Sequence, residues 1–355
     1  MHSTRRAAVA VGLDVGDKMT QVYIIDGNAE VLEEARIRTT PAAFQSRFST
    51  MKPARIALEV GPHSPWIERL LVQFGHEVLV ANARRLRMIA DSDRKTDRAD
   101  AEWLARLALF DPKLLSPIQH RKEQMQADMA VLRARAAAVN TRTKLVNHVR
   151  GCVKSFGGQL PRTTTHGFAK TATAIPQELR PALDPVMALI GELKKRISSY
   201  DKRIEELCER DYPVTELLRE VTGVGPITAL AYVLTIQDPT RFRRSRSVGC
   251  YLGLTCRKSQ SGERDPEMRI TKAGDRFLRY LLVQAAHYIL GPFGPDSDLR
   301  RWGLKLASRG RKNAKKRALV AVARKLAVLL HRLWATGMVY EPLRNARTQE
   351  VRVIA

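Results

Sequence analysis

The chain opens with short apolar runs of strand period and then changes texture. Ala8 to Val15 sets Val9, Val11, Leu13 and Val15 on one side and Asp14 on the other, the two-residue period of a strand. Gln21 to Asp26 and Ala29 to Ile37 flank Gly27-Asn28, a hairpin signal, so three antiparallel strands are expected. Pro41 to Thr50 fits a helix. Arg55 to Val60 reads as a fourth strand, stopped by Gly61-Pro62, and Glu77 to Ala81 as a fifth. Between these two, Ser64-Pro65 forms an N-cap and first-turn pair for a helix to Phe74. A further apolar-periodic helix begins near Asp97, which gives the order βββαβαβα.

From about Gln119 a long helical pattern, poor in Pro and Gly, runs to Ser155, and Phe156 to Pro181 is loop-like. Met187, Ile190, Leu193, Ile197, Tyr200, Ile204 and Leu207 then recur at three- and four-residue steps, a heptad seam. Two such helices around a broad loop predict an antiparallel coiled-coil arm, its seam read as a subunit contact. Glu216 to Leu234 gives a helix, the turn Gly223-Val224-Gly225, and a second helix opening with Pro226: a helix-hairpin-helix. Val248 to Leu254, a polar loop, a helix opening after Asp275, and the apolar helix Ala318 to Trp334 follow. The expected divisions are an α/β domain at 1–112, an all-α coiled-coil arm at 113–212, a helical domain at 213–345 and a tail at 346–355.

At 355 residues and 44% hydrophobic content the chain has the material for several cores, and no apolar run approaches a membrane span. Met1 to Arg6 and the Ala/Val stretch after it carry no signal-peptide cleavage pattern. Four cysteines without C-x-x-C spacing indicate neither a zinc site nor a disulfide framework, and they suit a reducing cytosol. Charge changes the picture most: 61 basic against 36 acidic residues give +25, which points to nucleic acid as partner. Residues 1–110 are nearly balanced, at 16 basic and 14 acidic, whereas residues 239–325 carry 22 basic and 6 acidic. Within the latter, the stretch from Arg300 to Arg317 holds nine basic and no acidic side chains: Arg300, Arg301, Lys305, Arg309, Arg311, Lys312, Lys315, Lys316 and Arg317. It reads as a backbone-contacting helix pair, with Trp302 and Trp334 as packing anchors.

Asp97 and Asp100, in Lys-Thr-Asp-Arg-Ala-Asp, lie three residues apart and so share one helix face. Two carboxylates held that close are usually offset by a hard divalent cation with oxygen ligands, though Asp is also favoured at a solvated helix N-terminus by the macrodipole. Asp14, on a core strand, carries the cost of a buried carboxylate unless it is paired or metal-bound. Asp17, Asp91 and Asp93 are read as loop charges. Gly223 and Gly225 let a backbone phosphate approach the exposed N–H groups that open the next helix. His287 fits a core histidine, and Tyr251 and Tyr280 lack the Arg-His-Arg constellation a tyrosine recombinase needs.

The element order, with carboxylates on the first strand, near the end of the fourth at Glu59 and on the last helix, resembles the ribonuclease H-like fold. Gly-Leu-Asp-Val-Gly around Asp14, the Glu59 strand and Lys-Thr-Asp-Arg-Ala-Asp together resemble the RuvC-like amino-terminal domain of DEDD-type insertion-sequence transposases. The carboxy-terminal domain of that family is resembled by Val248 to Leu254, Thr-Cys-Arg-Lys-Ser-Gln-Ser-Gly and Ile270-Thr-Lys-Ala-Gly-Asp. The resemblance implies that Asp14, Glu59, Asp97 and Asp100 hold two Mg²⁺ ions, or Mn²⁺, and that Ser261, before Gly262, is the nucleophile on DNA. Ser259 is a rival, and Cys256 stands where proline is common. It further implies a transposase guided by a structured non-coding RNA of its own element, acting on donor and target DNA as a dimer or tetramer, through a site composed from two domains. A Piv-type DNA invertase would share these residues. A junction-resolving nuclease using water in place of serine, or a non-catalytic nucleic-acid scaffold, would keep only part of them.

Overall fold

A computed structural model describes residues 8–82, 96–164, 167–262, 264, 266, 268–310 and 312–345. Asp91, Asp93, Arg311 and the tail from 346 lie outside them. The chain separates into two compact units, Met1–Arg121 and Lys122–Ala355.

The first unit is a mixed sheet with helices on both faces. Its strands are β1 (Val9–Val15), β2 (Met19–Asp26), β3 (Val31–Arg38), β4 (Arg55–Glu59) and β5 (Glu77–Ala81), and its helices are α1 (Pro41–Phe48), α2 (Ser64–Gln73) and α3 (Asp97–Phe110). The sheet order is β3-β2-β1-β4-β5: β1 to β3 form an antiparallel meander, and β4 and β5 run parallel to β1. Among the described residues the expected element order is the one observed. Two local readings need correction. Ala29 is not in a strand but turns the hairpin at φ +69°, because Asp26 accepts from the N–H groups of Asn28 and Glu30 and closes a wider loop. His63, not Ser64, is the N-cap of α2; Ser64 lies within the helix, its hydroxyl donating to Gly61 O at 2.8 Å.

Strand β1 is buried on both faces, which is why its apolar run is nearly unbroken rather than alternating. Val11 and Leu13 pack with Phe44, Phe48, Ile67 and Leu71 beneath α1 and α2. Ala10, Ala57 and Ala81 face the other way, against Ala101, Leu104, Ala105 and Ala108 of α3. Small residues on both sides let helix and sheet approach closely, and at Gly12 an added Cβ would stand 1.9 Å from Ala101 O. Two arginines then hold α3 in position. Arg98 forms a double hydrogen bond to Glu34 of β3, at 2.6 and 2.7 Å, over the face of Tyr23. Arg55, buried at the start of β4, donates to Ala108 O at 3.1 Å.

The second unit is helical: α4 (Glu123–Ser155), α5 (Arg180–Glu206), α6 (Val214–Arg219), α7 (Pro226–Ile236), α8 (Arg246–Tyr251), α9 (Arg276–Leu290), α10 (Asp298–Ala307) and α11 (Ala314–Thr336). Helices α4 and α5 form the antiparallel arm. Its seam is filled within the chain, Val146, Val149 and Val153 meeting Leu183, Met187 and Ile190. The connection between them is not all loop, since Phe168–Ala174 and Gln177–Leu179 are short 3-10 helices whose Phe168 closes the end of that core. At its other end the arm is not a free module. Met129, Leu132, Ile204 and Leu207 share one core with Leu230, Leu282, Val322 and Leu326. Tyr212 donates from within this core to Asp128 at 2.6 Å, and burial followed by that bond pushes its hydroxyl well above its ordinary value.

Candidate active site and nucleic-acid interface

The direction of α3 decides where the carboxylates go. Ala10 pairs in register with Arg55, which reaches Ala108, whereas Gly12, two residues further along β1, abuts Ala101 and Ala105. Helix α3 therefore runs antiparallel to β1, and its first turn overhangs the end of the strand. Asp14 has the parity of Ala10 and Gly12, and Glu59 that of Ala57, so both project on the α3 face. The parallel register Leu13↔Leu58 sets them side by side where β1 and β4 end. Asp97 and Asp100 sit in the first turn of α3 at that same end, with Thr96 capping the helix by accepting from Ala99 N at 3.2 Å.

All four carboxylates thus gather at one end of the sheet. Asp14, Glu59 and Asp100 are half-buried and Asp97 is exposed, so the helix turn rims the sheet. Asp14, Glu59 and Asp100 each engage a neighbour. Among the described residues no three Asp, Glu, His or Cys side chains stand close enough together to hold an ion. The donor chemistry nonetheless fits Mg²⁺: all-oxygen, anionic, and fixed on regular elements. Asp17 is an exposed loop charge, 3.5 Å from His63 Nε2.

Ser261 belongs to a different kind of structure. Between α8 and α9 the chain forms a narrow hairpin, with Thr271 N donating to Thr255 O, Arg257 N to Arg269 O, and Ser261 and Arg264 exchanging two backbone bonds at 3.1 Å. Gly262, at φ +55°, makes the tip. Ser259 and Ser261 are both exposed, flanked by the cations Arg257, Lys258 and Arg264. Oxygen nucleophiles need such surroundings if they are to meet a phosphodiester, whose charge must be offset.

The segment read as a helix-hairpin-helix holds α6, a turn and α7. Its glycines do different jobs. Gly223, at φ +87°, is pressed against α9, where an added Cβ would meet Ala285 O and Ile289 at 3.2 Å. Gly225 is exposed with open space around it, and it caps α7 without a side-chain hydrogen bond to the first turn.

The basic stretch also divides. Arg300 is a structural residue that donates to the carbonyls of Ile289 and Gly291 at 2.5 and 2.6 Å and so closes the C-terminal end of α9. Arg301 is exposed and holds Asp296 in a double contact, which keeps the Asp296 carboxyl below its ordinary value. Arg309, Lys312, Lys315, Lys316 and Arg317 are exposed around the start of α11. Trp302 packs under Lys325, 4.4 Å from its ring centre, and Trp334 against Tyr232. His287 is exposed, against the expectation of a core histidine, because the apolar face of α9 passes through Leu278, Leu282, Ala285 and Ile289.

Sequence reasoning missed the two clamps on α3, Arg98 and Arg55. Arg55 carried a signal: a cation at the start of an otherwise apolar strand needs a buried partner.

Two family models match the chain: a transposase model of the DEDD type over residues 11–157, and the transposase model of the IS116/IS110/IS902 family over residues 215–298. A Pseudomonas aeruginosa protein named "Probable family 20 transposase" is 28% identical over 94% of this chain and 98% of its own length. The Coxiella burnetii transposase for insertion sequence element IS1111A is 26% identical over 92% of this chain and 88% of its own. The Yersinia enterocolitica transposase for insertion sequence element IS1328 is 28% identical over 78% of this chain and 82% of its own.

Proposed function

Because the chain belongs to the DEDD-type insertion-sequence transposases, we propose that it cuts and rejoins DNA with Ser261 as nucleophile and Asp14, Glu59, Asp97 and Asp100 as ligands for Mg²⁺, or Mn²⁺ in its place. The observation that supports the reading is the placement of four carboxylates toward one end of the sheet, and we read the element order as that of a ribonuclease H-like, RuvC-like domain. Bound there, the metal would offset the repulsion among the carboxylates and neutralise charge on the scissile phosphate.

The chain's own residues do the rest. The Ser261 Oγ attacks phosphorus, a bond from phosphorus to a deoxyribose oxygen breaks, the hydroxyl proton passes to solvent, and the leaving oxygen takes a proton. One phosphodiester has been exchanged for another, so a second deoxyribose hydroxyl can attack the phosphoserine and release Ser261 without an energy source. The first turn of α7 binds a backbone phosphate beside Gly225, and the exposed cations around the start of α11 hold further phosphates. A structured non-coding RNA of the element selects donor and target DNA, while the protein contacts shape and backbone. Because the seam of the arm is filled within the chain, a dimer or tetramer forms through other surfaces.

The test is to trap a covalent adduct on a denaturing gel and map it by mass spectrometry, using purified protein, flanking RNA, Mg²⁺ and nicked or branched DNA. The expected result is an adduct at Ser261 that disappears in both Ser261→Ala and Asp97→Ala. Metal-dependent cleavage that survives Ser261→Ala without any adduct would replace this mechanism with hydrolysis of the junction-nuclease kind.

A further inference from the structure

Helices α4, α7 and α9 enclose a groove of about 860 Å³ that the cleavage chemistry does not use. A groove of this size has room for one or two nucleotides. Three arginines, Arg133, Arg135 and Arg276, line it against one acidic residue, Asp275, and Arg133 faces Asp275 at 3.5 Å while Asp275 caps α9. Arg135 is held by Asp201. Arg276 is exposed and has no hydrogen-bond or ionic partner among the described residues.

The wall contributed by α7 is unusual. Thr228, in the first turn, is only 8% exposed, lines the groove, and its hydroxyl has no hydrogen-bond partner among the described residues. The Thr228 hydroxyl is open to the groove beside N–H groups that no side chain caps, a place where a ligand oxygen can complete the bonding. Opposite, Tyr280 presents its ring, 57% exposed, and Gln284 and Asn140 present amides with no partners among the described residues. An anion-binding helix turn, a free guanidinium, an aromatic platform and amides able to meet a base edge are what an unpaired nucleotide requires.

We infer that this groove binds an unpaired nucleotide of a DNA or RNA strand, with its phosphate against Thr228 and Arg276 and its base stacked on Tyr280. The inference rests on the phosphate-binding reading of the same turn and adds a strand preference to it. A splayed-out base is what distinguishes a processed strand end or an RNA loop from intact duplex, so the groove would select such species.

The experiment measures fluorescence anisotropy of the full-length protein with short oligothymidylate, oligouridylate and a duplex of matched length. Tyr280→Ala should weaken single-strand binding by about tenfold and leave duplex binding within about twofold, since stacking acts only on an unpaired base. Thr228→Val, which keeps the shape and removes the hydroxyl, should weaken single strands severalfold. An iodouracil-substituted strand should cross-link to the peptide carrying Tyr280, and the DNA and RNA arms identify which strand the groove prefers. Equal weakening of single strand and duplex by Tyr280→Ala, or no change in either, overturns the inference. Gly225→Asp reports on the turn separately: the residue has open space and Asp is a good cap, but its charge repels phosphate. If Gly225→Asp leaves both substrates untouched, the phosphate reading of the turn fails and takes the proposed contact at Thr228 with it.

Discussion

Asp14 and Glu59 stand at the ends of strands buried on both faces, whereas Ser261 stands at the tip of an exposed hairpin fastened by a few backbone bonds. The positions of the carboxylates are over-determined. Sheet register, the Gly12–Ala101 approach and the Arg98 and Arg55 clamps all specify them, so that the proposed divalent ion would meet ligands already on regular elements. Among the described residues nothing comparable restrains the serine. On the proposed mechanism it would be presented to a large, charged substrate whose own contacts complete its surroundings, which suits a nucleophile that reaches phosphodiesters in more than one DNA strand. Rigidity belongs with the proposed metal ligands and exposure with the proposed nucleophile.

The contrast can be broken most severely at the carboxylates. Asp97→Asn removes a proposed ligand's charge at an exposed position, so melting temperature should stay within a few degrees while strand cleavage falls by about a thousandfold, the several kcal/mol a lost metal contact represents. A large loss of melting temperature would show that Asp97 is a structural residue instead.

Gly12→Ala strikes the scaffold rather than the chemistry. With a Cβ directed at Ala101 O, α3 has to move, and a destabilisation of about 3 kcal/mol is expected in denaturant unfolding, with activity lost alongside stability. A neutral result would mean that helix and sheet are not tightly joined, and the over-determination described above would be lost.

Exchanging Lys312, Lys315 and Lys316 for Gln tests the exposed half of the comparison. Duplex affinity should fall, and the dependence of log K on log salt should flatten by about 0.9 for each phosphate contact removed, with melting temperature unchanged. An unchanged slope would make these lysines a solvated face.

The smallest effect is a pH dependence confined to the first unit. Burial, followed by Arg69 and Arg121, holds the His120 imidazole below its ordinary value near 6.5, and Ser64 Oγ lies 2.8 Å from its Nε2. The unfolded chain then takes up a proton that the folded chain resists, so stability is complete above that value and declines as pH falls through it. His120→Gln should flatten this decline in melts between about pH 7.5 and pH 5.5. Glu68, whose carboxyl is pushed up by burial, has the opposite sign and gains stability as pH falls further.

Much of this molecule is local in origin. The five strands, the hairpin near Gly27, the start of α3 at a Thr-Asp cap, the long arm helices and the Gly223-Val224-Gly225 turn follow from periodicity, capping and turn chemistry within short windows, and the motifs around Asp14 and Ser261 point to the family without coordinates. Tertiary structure decided everything that depends on which distant residue lies opposite. It made the heptad seam an internal contact, because Val146 to Val153 and Leu183 to Ile190 fill each other's surface. It turned Arg300 from a surface cation into a donor to Ile289 and Gly291, and it divided the work of two glycines two residues apart. It also assembled the groove of Thr228, Arg276 and Tyr280 from three helices that no sequence window contains. Local free energies choose the elements, but a side chain's partner is set by how those elements pack, and packing joins residues that the chain keeps far apart.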